Sequence, residues 1–361
     1  MSYTQPHERV HGGPPWDELR TLGLDAEALL DFSVNTNPYG PHPAVLAAVR
    51  NAPVDHYPDT SALRVREAIA ARLGRRPEEV VVANGAADLI WSVLRVLLSG
   101  PQSTLLVVEP TFCEARLAAV SAGARVIPLW TQPGDHFALS FQVLTTQVEH
   151  HQAQAVYLCS PNTPTGVSQA VGEVSAWAKA HPDVALLLDQ SFLSLSSHHA
   201  DLEFAMPDNV VCVRSWTKDH AIAGVRLGYG VMRSEWAARI ERNRPAWTTS
   251  SMAQAAALAA LEQESFVLES WLRLLQDRLA MERRLDALGL EVTPSSTLFM
   301  LVQVGQATVV RDRMLRDHQI LVRDCTSFGL PHHLRLCARS ADAVERLCTA
   351  LDTVLGEVGR P

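Results

Sequence analysis

The sequence predicts an α/β fold with two parts: a large domain around a central, mostly parallel sheet, and a smaller α+β C-terminal domain. Three observations carry this. Short, continuous apolar runs alternate with helix-like stretches through most of the chain. The runs lack polar alternation, as strands buried on both faces do. From about Ser250 the character changes to a long Ala/Leu/Arg/Glu-rich stretch, followed by a new set of strand-like runs. At 361 residues the chain can bury a large core and divide in two.

The elements follow in order. Residues 1–40 carry His11-Gly-Gly-Pro-Pro and Asn35-Thr-Asn-Pro-Tyr-Gly, which is loop chemistry. They are expected to form an arm and a strand that pack on the smaller domain. In residues 41–245 the strand candidates are Val80–Ala83, Leu105–Val108, Ala155–Leu158, Val184–Leu188, Val210–Val213 and Leu227–Val231. Helical patterns between them include Asp88–Leu98, Glu114–Ala122 and Gly172–Ala180. The domain boundary is placed near residue 246, at Arg244-Pro-Ala-Trp. In residues 246–361, Met252–Leu288 has neither Gly nor Pro and predicts one or two long helices. Strands are expected at Thr297–Val304, Ile320–Arg323 and Leu334–Cys337, with a closing helix from about Asp342.

Composition narrows the function. Apolar residues make up 47% and charged residues 19%, the balance of a globular protein in water. A net charge of −8 argues against nucleic acid as a partner. The six cysteines form no CxxC and no Cys/His metal-ligand spacing, so reduced thiols and no metal are expected. The N-terminal residues lack the apolar centre of a signal peptide, and no apolar run reaches the length of a membrane span. A cytoplasmic enzyme with a small-molecule substrate fits these limits.

Lys218 is the most informative position. It follows Val210–Val213, with Ser215 three residues before it and Arg226 eight residues after it. A lysine amine forms a Schiff base with an aldehyde cofactor once its pKa is lowered. A hydroxyl and a guanidinium are what a phosphate monoester needs. The trio points to pyridoxal phosphate (PLP), although a lone lysine near a loop end is more commonly a solvated surface charge.

Ligands of a doubly wound sheet bind at the carboxyl ends of its strands. After Val80–Ala83 comes Asn84-Gly-Ala-Ala-Asp88, a turn that opens a helix and offers Gly85, Ala86 and Ala87 as phosphate-cradling amides. Phe112, after Leu105–Val108, can stack on a flat ring, or simply pack in the core. Asn162 and Thr163, in Cys159-Ser-Pro-Asn-Thr-Pro-Thr-Gly166, can reach a phenolate oxygen. Asp189 follows an apolar strand, where an unpaired carboxylate is costly. A protonated pyridine nitrogen is a suitable partner and turns the ring into an electron sink; a helix cap is the ordinary alternative.

Taken in order, these segments resemble the fold-type I PLP-dependent enzymes of the class I/II aminotransferase superfamily, and His11-Gly-Gly13, Asp31–Pro38, His56-Tyr-Pro-Asp59, Asp189-Gln-Ser-Phe192, Ser215–Tyr229 and Ile320–Cys325 lean towards its decarboxylase side. The likeness is nearest to the branch holding threonine-phosphate decarboxylase and histidinol-phosphate aminotransferase, and it runs from His11 to about Arg339. It implies the PLP-dependent transferase (aspartate aminotransferase-like) fold. It also implies roles. Lys218 is the Schiff-base lysine and the acid/base at Cα. Asp189 pairs with the ring nitrogen and Phe112 stacks on the ring. The amides of Ala86 and Ala87, with Ser215 and Arg226, hold the phosphate. Tyr57 reaches the neighbouring subunit's cofactor, so a homodimer with shared sites is implied. Arg335 binds the substrate carboxylate, and Arg323, Asn37 and His11 are further substrate-pocket candidates.

Three residues depart from the family pattern. Thr163 stands where an asparagine is usual, with Asn162 one residue earlier, so the phenolate contact falls to one or the other. Gln190 replaces a common glutamate, and Phe192 a common tyrosine.

The reaction stays open between two outcomes. The motifs lean towards decarboxylation of a phosphorylated amino acid such as threonine phosphate, in cobalamin biosynthesis. The alternative is transamination of the histidinol-phosphate type with 2-oxoglutarate and glutamate. A non-catalytic regulator built on the same fold is a remote third reading, since such proteins carry a DNA-binding domain ahead of it.

Overall fold

The computed structural model describes residues 11–98 and 100–361. The start of the expected arm, residues 1–10, lies outside the described residues. In chain order the strands are β1 (Leu30–Asp31), β2 (Val80–Ala83), β3 (Thr104–Glu109), β4 (Arg125–Trp130), β5 (Ala155–Cys159) and β6 (Ala185–Asp189). They continue as β7 (Val210–Ser215), β8 (Gly228–Val231), β9 (Phe299–Gln303), β10 (Ile320–Leu321), β11 (Arg323–Asp324) and β12 (His333–Cys337).

Chain contacts divide the molecule into two compact units. One comprises residues 36–162 and 167–271; the other comprises 11–35, 163–166 and 272–361. The boundary expected near residue 246 lies inside the first of these.

The larger unit holds a seven-stranded sheet of order β2-β8-β7-β6-β5-β3-β4. Only β8 runs against the others, pairing antiparallel with both β2 and β7. Side chains alternate between the two faces, as strand geometry requires. Leu105 and Val107 of β3 join the core formed with Leu89, Ile90 and Val93 of the helix Ala86–Leu97. Leu106 and Val108 join a separate core with Leu144, Val174 and Trp177 on the other face. Burial on both faces explains why the inner strands read as unbroken apolar runs. Strand β4 was not among the expected strands. It lies at the sheet edge, where Pro128 removes no inner hydrogen bond and Arg125 and Trp130 stay exposed.

The smaller unit has an antiparallel sheet of order β11-β12-β9 and a parallel pair β1-β10. The single strand expected over Ile320–Arg323 is two short strands, one in each sheet, on either side of Val322. Phe32, Met300, Val302, Leu334, Leu336 and Leu351 fill the core. The stretch 252–288 forms two helices, Ser251–Leu261 and Glu264–Ala287. No described helix is long and apolar enough to cross a membrane. Five of the six cysteines are buried and all six are free thiols.

Candidate functional site

In the larger unit, β2, β3, β5, β6 and β7 share one direction, so the residues that follow them gather along one edge of the sheet. Lys218 lies in the short helix Trp216–Asp219 directly after β7. Its amine sits 5.8 Å from the centre of the Phe192 ring. Ser215 begins that turn, its hydroxyl 2.6 Å from the Thr217 hydroxyl. Asn37 braces the turn from below. Its backbone N–H donates to the Lys218 carbonyl at 2.8 Å, and its side-chain amide donates to the Asp219 carbonyl at 3.0 Å. The Asn37 side-chain oxygen accepts the Tyr39 N–H. The side chain expected in the substrate pocket is therefore committed to the lysine's own turn.

Asp189 ends β6, almost wholly buried. One carboxylate oxygen accepts the Ser191 N–H at 2.9 Å and the Ser191 hydroxyl at 2.6 Å. The other accepts the Tyr157 hydroxyl at 2.8 Å. Tyr157, fully buried on β5, was seen in the sequence only as part of an apolar strand. Burial raises the Asp189 carboxyl above its ordinary 3.8, against the lowering pull of these hydrogen bonds and of the Lys218 charge. A buried carboxylate held by neutral donors suits a cationic ring nitrogen.

The phosphate end is built around Gly85, which caps the helix Ala86–Leu97 at φ +87°. A side chain there would come within 2.6 Å of the Arg226 guanidinium, so only glycine admits this approach. Arg226 is exposed and donates to the Ala223 carbonyl at 3.2 Å; among the described residues no carboxylate pairs with it. Gly228 likewise lets β8 close on the Ala86 amide. Ala86 and Ala87 then head a helix whose free amides and dipole favour an anion. Arg244, which the sequence did not single out, locks this turn. Its buried guanidinium donates to the Val82 carbonyl at 2.9 Å and pairs with Asp88 at 3.4 Å, and Asp88 in turn accepts the Asn84 N–H.

Phe112 is half-buried against the sheet core. Asn162 ties its own turn to the one carrying Phe112, accepting the Thr111 hydroxyl and donating to the Pro110 carbonyl, both at 2.8 Å. Tyr57 lies on the surface, 75% exposed, with its ring stacked 4.4 Å from that of Trp247.

The smaller unit holds a group of candidates of its own. Arg335 on β12 is buried; it donates to the Thr163 hydroxyl and to the Ser33 carbonyl, each at 2.7 Å. Its Nε has no partner, and no carboxylate pairs with it among the described residues. Burial depresses this guanidinium to about 10. The Thr163 hydroxyl accepts from Arg335 and keeps its own proton to donate, whereas both ends of the Asn162 amide are engaged by the turn that carries Phe112. Arg323 faces Arg335 directly across the strand pair. It bonds to the Asp324 carbonyl and donates to the Ser327 hydroxyl, with its guanidinium 4.9 Å from the Phe328 ring. Arg323 and the exposed His11 line one pocket of about 430 Å3. Asn35 was read in the sequence only as part of a loop motif, not as a site residue. It is 3% exposed, and neither its amide nitrogen nor its oxygen has a partner.

Comparison with known proteins gives the family and the fold. The family model for aminotransferase class I and II matches residues 27–351. The chain is 33% identical to a histidinol-phosphate aminotransferase from Symbiobacterium thermophilum, over 96% of each chain. Among solved structures it is similar to the histidinol-phosphate aminotransferase of Sinorhizobium meliloti in complex with pyridoxal-5'-phosphate. That match has a TM-score of 0.88 and 24% identity, covering 99% of each chain. It is also similar to the L-threonine-O-3-phosphate decarboxylase of Porphyromonas gingivalis, with a TM-score of 0.79 and 23% identity over 91% of this chain and 99% of that one. The fold is the aspartate aminotransferase-like fold that the motifs implied. From the family match over most of its length, the chain belongs to the class I and II aminotransferases.

Proposed function

We propose that the protein is a PLP-dependent aminotransferase of the histidinol-phosphate type, exchanging the amino group with 2-oxoglutarate and glutamate. The observation that carries this is the 33% identity, over 96% of both chains, to a relative of that name. The decarboxylase reading favoured by the motifs has weaker support, since its similar structure at 23% identity speaks for the fold alone.

The residues fit the cofactor. A buried carboxylate, Asp189, awaits a cation, and a guanidinium without a carboxylate, Arg226, stands over a glycine cradle at a helix N-terminus. Bound PLP supplies an electron sink for negative charge at the substrate's Cα. Lys218 would hold the cofactor through its aldehyde and, as a free amine once the substrate's amino group takes that place, would carry the proton that leaves Cα. Asp189 would keep the ring nitrogen protonated, and Tyr157 and Ser191 hold Asp189 in place for it. The amides of Ala86 and Ala87, Ser215 and Arg226 would hold the phosphate, Phe112 would pack on the ring, and the Thr163 hydroxyl would donate to the phenolate oxygen. Arg335 binds the anionic end of each substrate. Histidinol phosphate offers a phosphate and glutamate a carboxylate, and both present two oxygens to a planar fork. Tyr57 serves the cofactor of a second subunit in a homodimer.

The test is a paired assay on PLP-loaded protein. Keto-acid exchange between histidinol phosphate and 2-oxoglutarate, without CO2 release from threonine phosphate, is the expected result. CO2 release without amino transfer would reverse the assignment.

A further inference from the structure

The turn that carries Lys218 has a second face. Ser215, Trp216, Asp219 and His220 line a cavity of about 510 Å3, while Thr217 and Lys218 stay out of its wall. The remaining walls come from the helices Leu63–Leu73, Ser251–Leu261 and Glu264–Ala287 and from residues 194–202. All of these lining residues belong to the larger unit. The volume is in the range of sites for small organic ligands, roughly 300–1,000 Å3.

Two buried charges line this cavity without counter-ions. Asp219 is 5% exposed; its carboxylate accepts the His220 N–H at 2.9 Å and bonds to the Ser194 hydroxyl. No cation pairs with it among the described residues. Arg214, also 5% exposed, donates from Nε to Gln190 at 3.1 Å, from Nη2 to the Leu202 carbonyl at 2.7 Å and from Nη1 to the Tyr229 hydroxyl at 3.5 Å, with its guanidinium 5.9 Å from the Tyr229 ring centre. No carboxylate pairs with it among the described residues, Asp219 included. His220 adds a buried Nδ1 without a partner. Trp216 and Tyr229 present an aromatic pair with ring centres 4.8 Å apart, and Leu261 and Leu268 add apolar surface.

Burying one charge of each sign, hydrogen-bonded but without a counter-ion, is unfavourable unless a guest carries the complementary pair. A zwitterion does so, with its ammonium for Asp219 and its carboxylate for Arg214. The aromatic and aliphatic wall then selects the rest of the molecule. We propose that this cavity binds a free α-amino acid with an apolar or aromatic side chain, at a site separate from Lys218. The proposal does not depend on which reaction Lys218 performs.

Equilibrium dialysis of labelled L-phenylalanine tests it. The PLP-loaded protein is first treated with borohydride, so that the Lys218 position no longer exchanges amines; cofactor-free protein is dialysed in parallel. Saturable binding of one molecule per chain is expected. Phenethylamine and 3-phenylpropionate, each with a single charge, should bind about tenfold more weakly or worse. Asp219→Asn should weaken L-phenylalanine by about the same factor. Leu268→Trp, at a wall position 43% exposed and so tolerant of substitution, should weaken it by filling the space. No saturable binding, or binding that both variants leave unchanged, overturns the proposal. If amino transfer fails in the same preparation while L-phenylalanine still binds, only the assigned reaction falls.

Discussion

Asp189 is a buried acid whose intended partner is another molecule, and this gives its titration a definite sign. In cofactor-free protein the folded-state carboxyl lies above its ordinary 3.8. Folding therefore favours the protonated form. That stabilisation is complete below the unfolded value and is lost as pH rises through the folded one. Asparagine cannot ionise, so cofactor-free Asp189→Asn should melt above the parent near about pH 8, with the gap closing towards about pH 4. With PLP bound the order reverses, because only the carboxylate gains the ring cation: PLP should raise the parent's melting temperature more than the variant's. A gap indifferent to both pH and PLP would remove Asp189 from the cofactor site. Arg335 gives the complementary case. With no acid to orphan, Arg335→Leu should change stability by about 1 kcal/mol or less in urea unfolding. It should also lower kcat/KM about 100-fold or more through the lost anion contact. A stability loss large enough to account for the activity loss would make Arg335 structural. Lys218, Asp189 and Arg226 were legible because their chemistry is unusual for their position in the chain. Asn35 and Tyr157 were not, since an orphaned amide and a cross-strand hydroxyl exist only once distant residues meet.

Elements place these residues, and the strand-to-helix turn at Gly85 is the most exacting of them. Gly85→Ala forces an L side chain to φ +87° and into the Arg226 guanidinium. The expected cost is about 1–3 kcal/mol of stability, with PLP affinity down by about tenfold, as expected for a lost charge-assisted contact. Gly224→Ala is the control: a side chain there meets nothing within 4 Å, so both measurements should stay at parental values. Equal effects at the two glycines would mean that the cradle is not specific. Strands β2, β3, β5, β6 and β7 were legible because burial on both faces writes an unbroken apolar run, even for β2 at the sheet edge. Strand β4 was not, because an edge position tolerates Pro128 and exposed side chains that read as loop. The split of β10 from β11 was equally hidden. Which sheet a two-residue strand joins depends on its neighbours, β1 and β12, and not on its own sequence.

At the scale of the whole molecule, Tyr57 is the residue that a single chain does not explain. A tyrosine 75% exposed and stacked on Trp247, itself 48% exposed, presents a flat apolar surface with a hydroxyl at its edge. Such surfaces mark sites of association. If Tyr57 serves its neighbour's cofactor, a mixed dimer of Lys218→Ala and Tyr57→Ala chains contains one complete site. That site takes its lysine from the second variant and its tyrosine from the first. The other site lacks both. Each pure variant is impaired, Lys218→Ala in chemistry and Tyr57→Ala in holding the cofactor at limiting PLP. Mixing the two under conditions that exchange subunits should therefore raise activity at limiting PLP above the sum of the separate preparations. If Tyr57 serves its own subunit, no mixed dimer holds an intact site and the mixture stays at that sum. The two geometries thus differ in sign of complementation, which no change in fold stability can imitate.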